Sequence, residues 1–390
     1  MAKKNKNPEV RFKDFKEGWE QSDLSQIIDL QSGRDYKHLK KGNIPVYGTG
    51  GYMLSVNDAL SNKDSIGIGR KGTIDKPYIL KAPFWTVDTL FYAVPKNKND
   101  LQFLNCIFQN IDWKNKDEST GVPSLSKITI NSVQTYTTKP TEQKQIGAFF
   151  QNLDTLISQH QKKYDKLVIL KKAMLEKMFP KNSAVVPEIR FNGFSEDWVE
   201  KELGKIGFTY TGLSGKTKND FGRGKGKYVT YMGVFNNPVS NSNMTELVEI
   251  DNTQNEVNFG DVFFTTSSET PEEVGMSSVW LGHEENIYLN IFCFGYLLYD
   301  RIDNDYLSNL LRSPNFRKKI SFLAQGISRF NISKNKVKEI SIEIPCPDEQ
   351  QKIGEYFKNL DKQIALHKTQ LEKLNNIKKA CFTKMFVSQD

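Results

Sequence analysis

The chain repeats itself, and the repeat limits the folds available to it. Residues 140–179 read PTEQKQIGAFFQNLDTLISQHQKKYDKLVILKKAMLEKMF and residues 347–386 read PDEQQKIGEYFKNLDKQIALHKTQLEKLNNIKKACFTKMF. Aligned without a gap they agree at 19 of 40 positions. A shorter pair recurs upstream of each: Arg11, Phe12, Phe15, Glu17, Trp19, Leu24 and Ile27 match Arg190, Phe191, Phe194, Glu196, Trp198, Leu203 and Ile206. The order is opening motif, variable region, long repeat, and then the same again. Between these joints, regions 20–139 and 199–346 have little sequence in common. Similar joints with divergent inserts describe one scaffold carrying two different readers.

Each long repeat predicts a helix with a seam. Ile146, Phe150, Leu153, Ile157, His160, Tyr164, Leu167, Lys171, Met174 and Met178 alternate spacings of four and three, and so do Ile353, Phe357, Leu360, Ile364, His367, Leu371, Leu374, Lys378, Cys381 and Met385. A mean period of 3.5 is the mark of a coiled-coil seam. Thr141 and Asp348, just after the prolines, are the expected N-caps. Each helix should run ~38 residues, or ~57 Å. Helices of this length with an apolar stripe need a partner. The two copies are expected to pack on each other, antiparallel about a pseudo-two-fold axis. His160 and His367 read as partly buried register-setting residues, because two histidines without a carboxylate make a poor metal site. Lys171 and Lys378 read as side chains that snorkel out of the seam, with an acidic groove on a partner as the alternative.

The variable regions contain short apolar runs bounded by turn residues: 44–47, 65–68, 78–80 and 89–94 in the first, 228–232, 261–266 and 287–299 in the second. These predict strands, while 101–110 and 306–322 have helical periodicity. The expected fold class is therefore α+β: two mixed α/β domains separated by two long antiparallel coiled-coil helices. The expected boundaries are 1–139, 140–188, 189–346 and 347–390.

Enzyme motifs fail on inspection. Gly67-Ile68-Gly69-Arg70-Lys71-Gly72 has dinucleotide-loop spacing, but Thr73–Pro77 that follow cannot open the required helix. Gly215-Lys216-Thr217 lacks the first glycine of a phosphate loop, since Tyr210 stands there. His283-Glu284 has Ile287 where a zinc protease needs its second histidine. Asn237-Pro238 continues to Val239, which is no amino-methyltransferase signature. Cys106, Cys293, Cys346 and Cys381 lie far apart, which argues against a zinc site or disulfide framework and suits a reducing cytosol. The N-terminal residues 1–12 carry lysines but no apolar run, and residues 287–299 are too short to span a bilayer, so neither a signal peptide nor a membrane protein is expected.

What remains is loops of glycine, hydroxyl, aromatic and basic residues. The DNA-contact candidates are Tyr47, Thr49, Arg70, Lys71 and Thr73 in the first region. In the second they are Lys216, Lys218, Arg223, Lys225, Lys227, Tyr228, Tyr231, Thr266 and Ser267. Cations meet phosphates, and Arg, Lys, Ser and Thr read base edges; a solvated loop is the competing reading for each. Trp19 and Trp198 read as packing anchors. The formal charge of +8 is unevenly spread: residues 1–139 hold 21 basic and 15 acidic side chains, residues 189–346 hold 17 and 20.

The duplicated Pro-x-Glu-Gln-x-x-Ile-Gly-x-x-Phe-x-x-Leu-Asp block, its Lys-Met-Phe ending and the Arg-Phe…Trp pairs resemble the specificity subunit of type I restriction-modification enzymes across the whole chain. The resemblance implies a cytoplasmic subunit without chemistry of its own, in which two target-recognition domains each read half of a split double-stranded DNA target. It implies helical spacers that set the gap and dock two methylation subunits. Those subunits would use S-adenosylmethionine to methylate adenine at N6, and two motor-nuclease restriction subunits would use ATP and magnesium. A coiled-coil scaffold that binds proteins without reading DNA is the alternative.

Overall fold

The computed structural model describes residues 6–181 and 184–387; Lys3 and Lys4 of the N-terminal basic stretch lie outside the described residues. The first reader runs β1 (Glu20–Asp23), α1 (Leu24–Ile27), β2 (Ile28–Ser32), β3 (Lys41–Gly48), β4 (Gly51–Val56), β5 (Ser65–Gly69), β6 (Tyr78–Leu80), β7 (Trp85–Thr86), β8 (Leu90–Pro95), α2 (Leu101–Asn110), α3 (Lys127–Ser132) and β9 (Gln134–Thr137), and leads into the long helix α4 (Pro140–Lys177). The second runs β10 (Val199–Glu202), α5 (Leu203–Ile206), β11 (Gly207–Thr211), β12 (Phe221–Val229), α6 (Tyr231–Asn236), β13 (Val239–Ser240), β14 (Thr245–Val248), β15 (Val262–Thr265), β16 (Ser267–Ser268) and β17 (Ser277–Trp280). It continues through β18 (Ile287–Leu289), β19 (Cys293–Leu298), α7 (Asn304–Leu310), α8 (Pro314–Phe322), β20 (Phe330–Asn331), α9 (Lys334–Lys338) and β21 (Ser341–Ile344) into α10 (Pro347–Lys384).

Under their unlike sequences the two readers share a sheet plan. In the first, β2-β8-β5-β6 form one sheet and β4-β3-β7 another, with β3 antiparallel to β4 and parallel to β7. In the second, β11-β19-β15-β17-β13 and β14-β12-β18 repeat that arrangement with one added edge strand, and β12 is again antiparallel to one neighbour and parallel to the other. The first and last strands of each reader pair with each other, β1 with β9 and β10 with β21.

Some expected elements divide differently. The apolar run 287–299 is two strands in two sheets, broken where Asn290 donates to the Val229 carbonyl and accepts from the Phe292 N–H. The periodic run 306–322 splits at Ser313, whose hydroxyl caps α8 while Pro314 occupies its first turn. The expected strand 228–232 ends at Val229, because the Thr230 hydroxyl caps α6. Thr141 and Asp348 are not N-caps either. The long helices already begin at Pro140 and Pro347, and the carbonyls of Lys139 and Cys346 accept the first helical N–H groups. Proline's fixed φ and missing donor suit it to that first position.

The chain forms two compact units, residues 1–162 with 368–390 and residues 163–367. Each therefore takes one reader, part of α4 and part of α10. In the first unit Phe150 packs 4.4 Å from Phe382 and 5.8 Å from Phe386, and Asp154 pairs with Lys378 at 2.6 Å. In the second, Phe179 stacks 5.9 Å from Phe357 and Lys171 pairs with Asp361 at 2.5 Å. Partner numbers fall as α4 advances, so the segments are antiparallel within each unit. Lys171 and Lys378 thus neither snorkel nor await an acidic partner: the antiparallel register delivers an aspartate to each.

The seam merges with the reader cores. Ile146, Phe150 and Leu153 are buried with Trp19, Phe103 and Phe386 in the first unit; Leu167, Ile353, Phe357 and Leu360 are buried with Trp198, Tyr306 and Phe179 in the second. Ile157, His160, Ile364, His367 and Leu374 are half-buried. The repeated motif also builds a joint. Glu142, fully buried, takes Arg11 in a bidentate pair at 2.5 and 2.7 Å; Glu349 takes Arg190 at 2.7 and 2.8 Å. Gln143 accepts the backbone N–H of Asp100, and Gln350 that of Asp303. Those two aspartates cap α2 and α7. A Cβ on Gly147 would lie 2.3 Å from an Asp100 carboxylate oxygen, and one on Gly354 2.5 Å from Asp303's, so only glycine lets the capped helices come this close.

Candidate nucleic-acid interface

In the first reader the β3–β4 turn and the β5–β6 loop meet. Thr49 Oγ1 lies 3.8 Å from where a Cβ on Gly72 would stand. Arg70 and Lys71 leave the end of β5 exposed, with Thr73 just beyond. Arg70 rests its guanidinium 5.9 Å from the Phe91 ring centroid. The Gly67–Gly72 glycines serve backbone packing: a Cβ on Gly69 would fall 2.0 Å from the Thr73 carbonyl, and Gly72 has φ +97°. Tyr47 is half-buried, its ring 6.3 Å from that of Tyr52 and 6.2 Å from that of Tyr78.

The basic segment of the second reader is less positive than its composition suggests. Lys216 gives its ammonium to Asp251 at 2.7 Å and is only 10% exposed, which takes it away from phosphate. That bond, with help from Thr253, holds the Asp251 carboxyl below the usual range. Arg223 pairs with Glu249 at 3.5 Å, and Tyr228 donates to Glu246 at 2.7 Å. Burial first, then Glu246, pushes the Tyr228 phenol up to about 12. Lys218 and Lys225 are exposed and Lys227 half-buried. The glycines here build a bulge: Phe221 and Gly226 both oppose Val248, and Gly222 and Gly224 have φ +78° and +90°.

Tyr231, Thr266 and Ser267 converge on a second locus. The Tyr231 hydroxyl donates to the Ser267 carbonyl at 2.8 Å, and Thr266 Oγ1 to the Phe292 carbonyl at 2.8 Å. Backbone bonds show that Thr266 is the counterpart of Arg70. The Arg70 N–H donates to Thr89 and its carbonyl accepts from Leu125; the Thr266 N–H donates to Phe292 and its carbonyl accepts from Ile332. Candidates chosen for composition alone thus occupy one topological place in both readers.

Sequence reasoning missed what lies beside that place. The segments entering α3 and α9 pair against it, capped by Ser126 and Ser333. The recurrence of Leu125-Ser126-Lys127 as Ile332-Ser333-Lys334 was the available signal. It also missed Arg312 and Arg317. Arg312 donates to carbonyls of Val234, Phe235, Asn237 and Ser277, and Arg317 to those of Glu272, Val274 and Gly275. Burial lowers both to about 10, and they remain charged at neutral pH. They fix the end of α6 and the turn that follows Ser268.

Among the described residues, no group of three or more His, Cys, Asp or Glu is placed to hold a metal ion, and no helix is long and apolar enough to cross a membrane. The type I restriction modification DNA specificity domain family matches residues 16–168 and 195–376. The type I restriction enzyme MjaVIII specificity subunit of Methanocaldococcus jannaschii is 25% identical over 362 residues, covering 84% of this chain and 77% of that protein. A crystal structure of a type I restriction-modification system S subunit from M. genitalium superposes with a TM-score of 0.60 at 14% identity, covering 99% of this chain and 100% of that one, which is a likeness of fold.

Proposed function

Because the chain belongs to the type I restriction modification DNA specificity family, and is a non-catalytic subunit that recognises DNA sequence rather than a scaffold without readout, we propose that each reader takes one half of a split target. The modules are 1–139 and 189–346 for recognition, and 140–188 and 347–390 for the spacers that set the gap. The observation that carries this reading is the shared place of Arg70 and Thr266 on readers with unlike loops. A common frame supplies phosphate contacts and position, and the exposed loops supply base contacts.

Two methylation subunits dock on the helical spacers, bind S-adenosylmethionine and flip an adenine in each half-site for N6 methylation. Two restriction subunits, with ATP and magnesium, complete the enzyme. The complex works in the cytoplasm. The recognition face comprises Thr49, Arg70, Lys71 and Thr73 on one reader, and Lys218, Arg223, Lys225, Lys227, Tyr231, Thr266 and Ser267 on the other. Exchanging 199–346 for the corresponding region of another family member should change one half of the methylated site and leave the other. Sequencing methylated adenines reads the result, and a change in both halves would refute independent readers.

A further inference from the structure

Each reader carries a branched aliphatic side chain where folding has no use for one. Val122 is 56% exposed and Ile327 97%. A lone exposed aliphatic is ordinary. What these two share is a place just ahead of the segment that pairs with the recognition loop, Val122 two residues before Ser124 and Ile327 four before Asn331. Each follows a glycine, Gly121 or Gly326, on the segment that leads into the strand paired with the recognition loop. In the first reader the Pro123 carbonyl accepts the Gly72 N–H, and Ser124 bridges to Lys71. In the second, Gln325 and Asn331 close the Ile327 turn through two backbone bonds, and Asn331 pairs with Ser267. Gly326 has φ +147°, and a Cβ there would lie 2.0 Å from the Arg329 carbonyl, so the turn that presents Ile327 is tightly built.

We propose that Val122 and Ile327 are the apolar base contacts of the two readers. The inference rests on the proposed recognition face and adds a chemistry that the polar candidates lack. Cations stand beside each tip: Arg70 and Lys71 near Val122, and Arg329 two residues beyond Ile327, all exposed. Phosphates held by those cations would bring the tips to the groove. There a branched aliphatic can meet a thymine methyl or press into a base step.

The test uses the chain assembled with its methylation subunits, after the methylated sequence has assigned a half-site to each reader. Ile327→Ser should leave thermal stability unchanged, because its side chain is already in water, and Val122→Ser should lower it only slightly, because more than half of that side chain is exposed. Each should weaken binding to the full site about tenfold, in the range of a lost base contact, and leave binding to unrelated duplex unchanged. Scrambling the half-site of the altered reader should abolish the difference from the parent chain. Two substituted duplexes then identify the contact. If deoxyuridine for thymine costs the parent chain the same factor and the variant nothing, the tip meets a methyl group. If 2-aminopurine brightens with the parent chain and not the variant, the tip opens a base step. Equal specific binding by parent and variants would overturn the proposal, as would a defect confined to assembly with the methylation subunits. Should those results occur while exchange of 199–346 still changes one half-site, only the apolar contact fails. If the exchange also changes nothing, the recognition face itself is wrong.

Discussion

The two readers are alike in backbone plan and in their buried joints, and unlike in the loops they expose. Both close on a pair of end strands, and both rest on an Arg–Glu pair and a tryptophan from the repeated segments. Yet at one backbone position the first carries Arg70 followed by Lys71, while the second carries Thr266 and, a few residues on, Glu269, Glu272 and Glu273. The charge imbalance of the sequence is thus located. The first reader leaves Arg70 and Lys71 exposed, whereas Asp251 and Glu249 pair with Lys216 and Arg223, two of the five cations clustered in the second, and Glu246 takes the neighbouring Tyr228 hydroxyl. Duplication preserved the frame and left the electrostatics free to diverge.

The largest expected effect tests the likeness. Arg11→Ala and Arg190→Ala each take the arginine from a fully buried glutamate, and each should cost about 3 kcal/mol, somewhat less at Arg11 because the Thr138 hydroxyl still donates to Glu142. Denaturation of each variant, alongside doubles that add Glu142→Gln or Glu349→Gln, measures it. The doubles should recover part of the loss. A clearly larger cost at Arg11 than at Arg190 would break the equivalence of the joints.

A smaller effect tests the difference. Arg70→Gln with Lys71→Gln should weaken DNA binding and lower the slope of log K against log salt by about 2. Lys225→Gln with Lys227→Gln should lower it by less, because Lys227 is half-buried. Titrations at several salt concentrations decide this, and an unchanged slope removes the pair concerned from the DNA face.

The smallest effect is one of pH and belongs to the second unit. Asp251 has a depressed carboxyl in the folded chain, so the stability it contributes is present above the unfolded value of about 4 and is lost as pH falls towards the folded value. Protection factors for hydrogen exchange around residues 214–254, taken relative to the intrinsic rate at each pH, should therefore fall on acidification in the parent chain more than in Asp251→Asn. Equal acid sensitivity would mean that the Lys216 bond contributes nothing.

The helices and their seam were legible because a 3.5-residue period survives any choice of surface residue. The likeness of the readers was not. Their strands are short, the residues differ at matched positions (Ile66, Gly67 and Ile68 on β5 against Val262, Phe263 and Phe264 on β15), and the matching bonds are main-chain bonds that no side chain advertises. Lys171 was misread because its aspartate lies 190 residues away and is found only once the helix register is known. Ser313-Pro314 marks the break between α7 and α8, and the apolar periodicity that runs through it hides that break. Of the recognition candidates, composition picked out Arg70, Lys71, Thr266 and Ser267, which the backbone brings to one shared topological place, and it could not foresee that Lys216 would be paired within its own domain.

The glycine in each long helix has a consequence for what each joint can accept. The repeated segments supply the arginine, glutamate, glutamine, tryptophan and glycine of each joint. The inserted region supplies an aspartate at the start of a helix and an aromatic ring three residues on, Asp100 with Phe103 or Asp303 with Tyr306. The joint is in effect a socket, and those two residues are the plug. Any foreign segment that ends its sheet near its start and presents that plug meets the requirements of either socket. An insert moved from one socket to the other should therefore keep its aspartate–glutamine bond and its ring against the tryptophan with no compensating change in the helices.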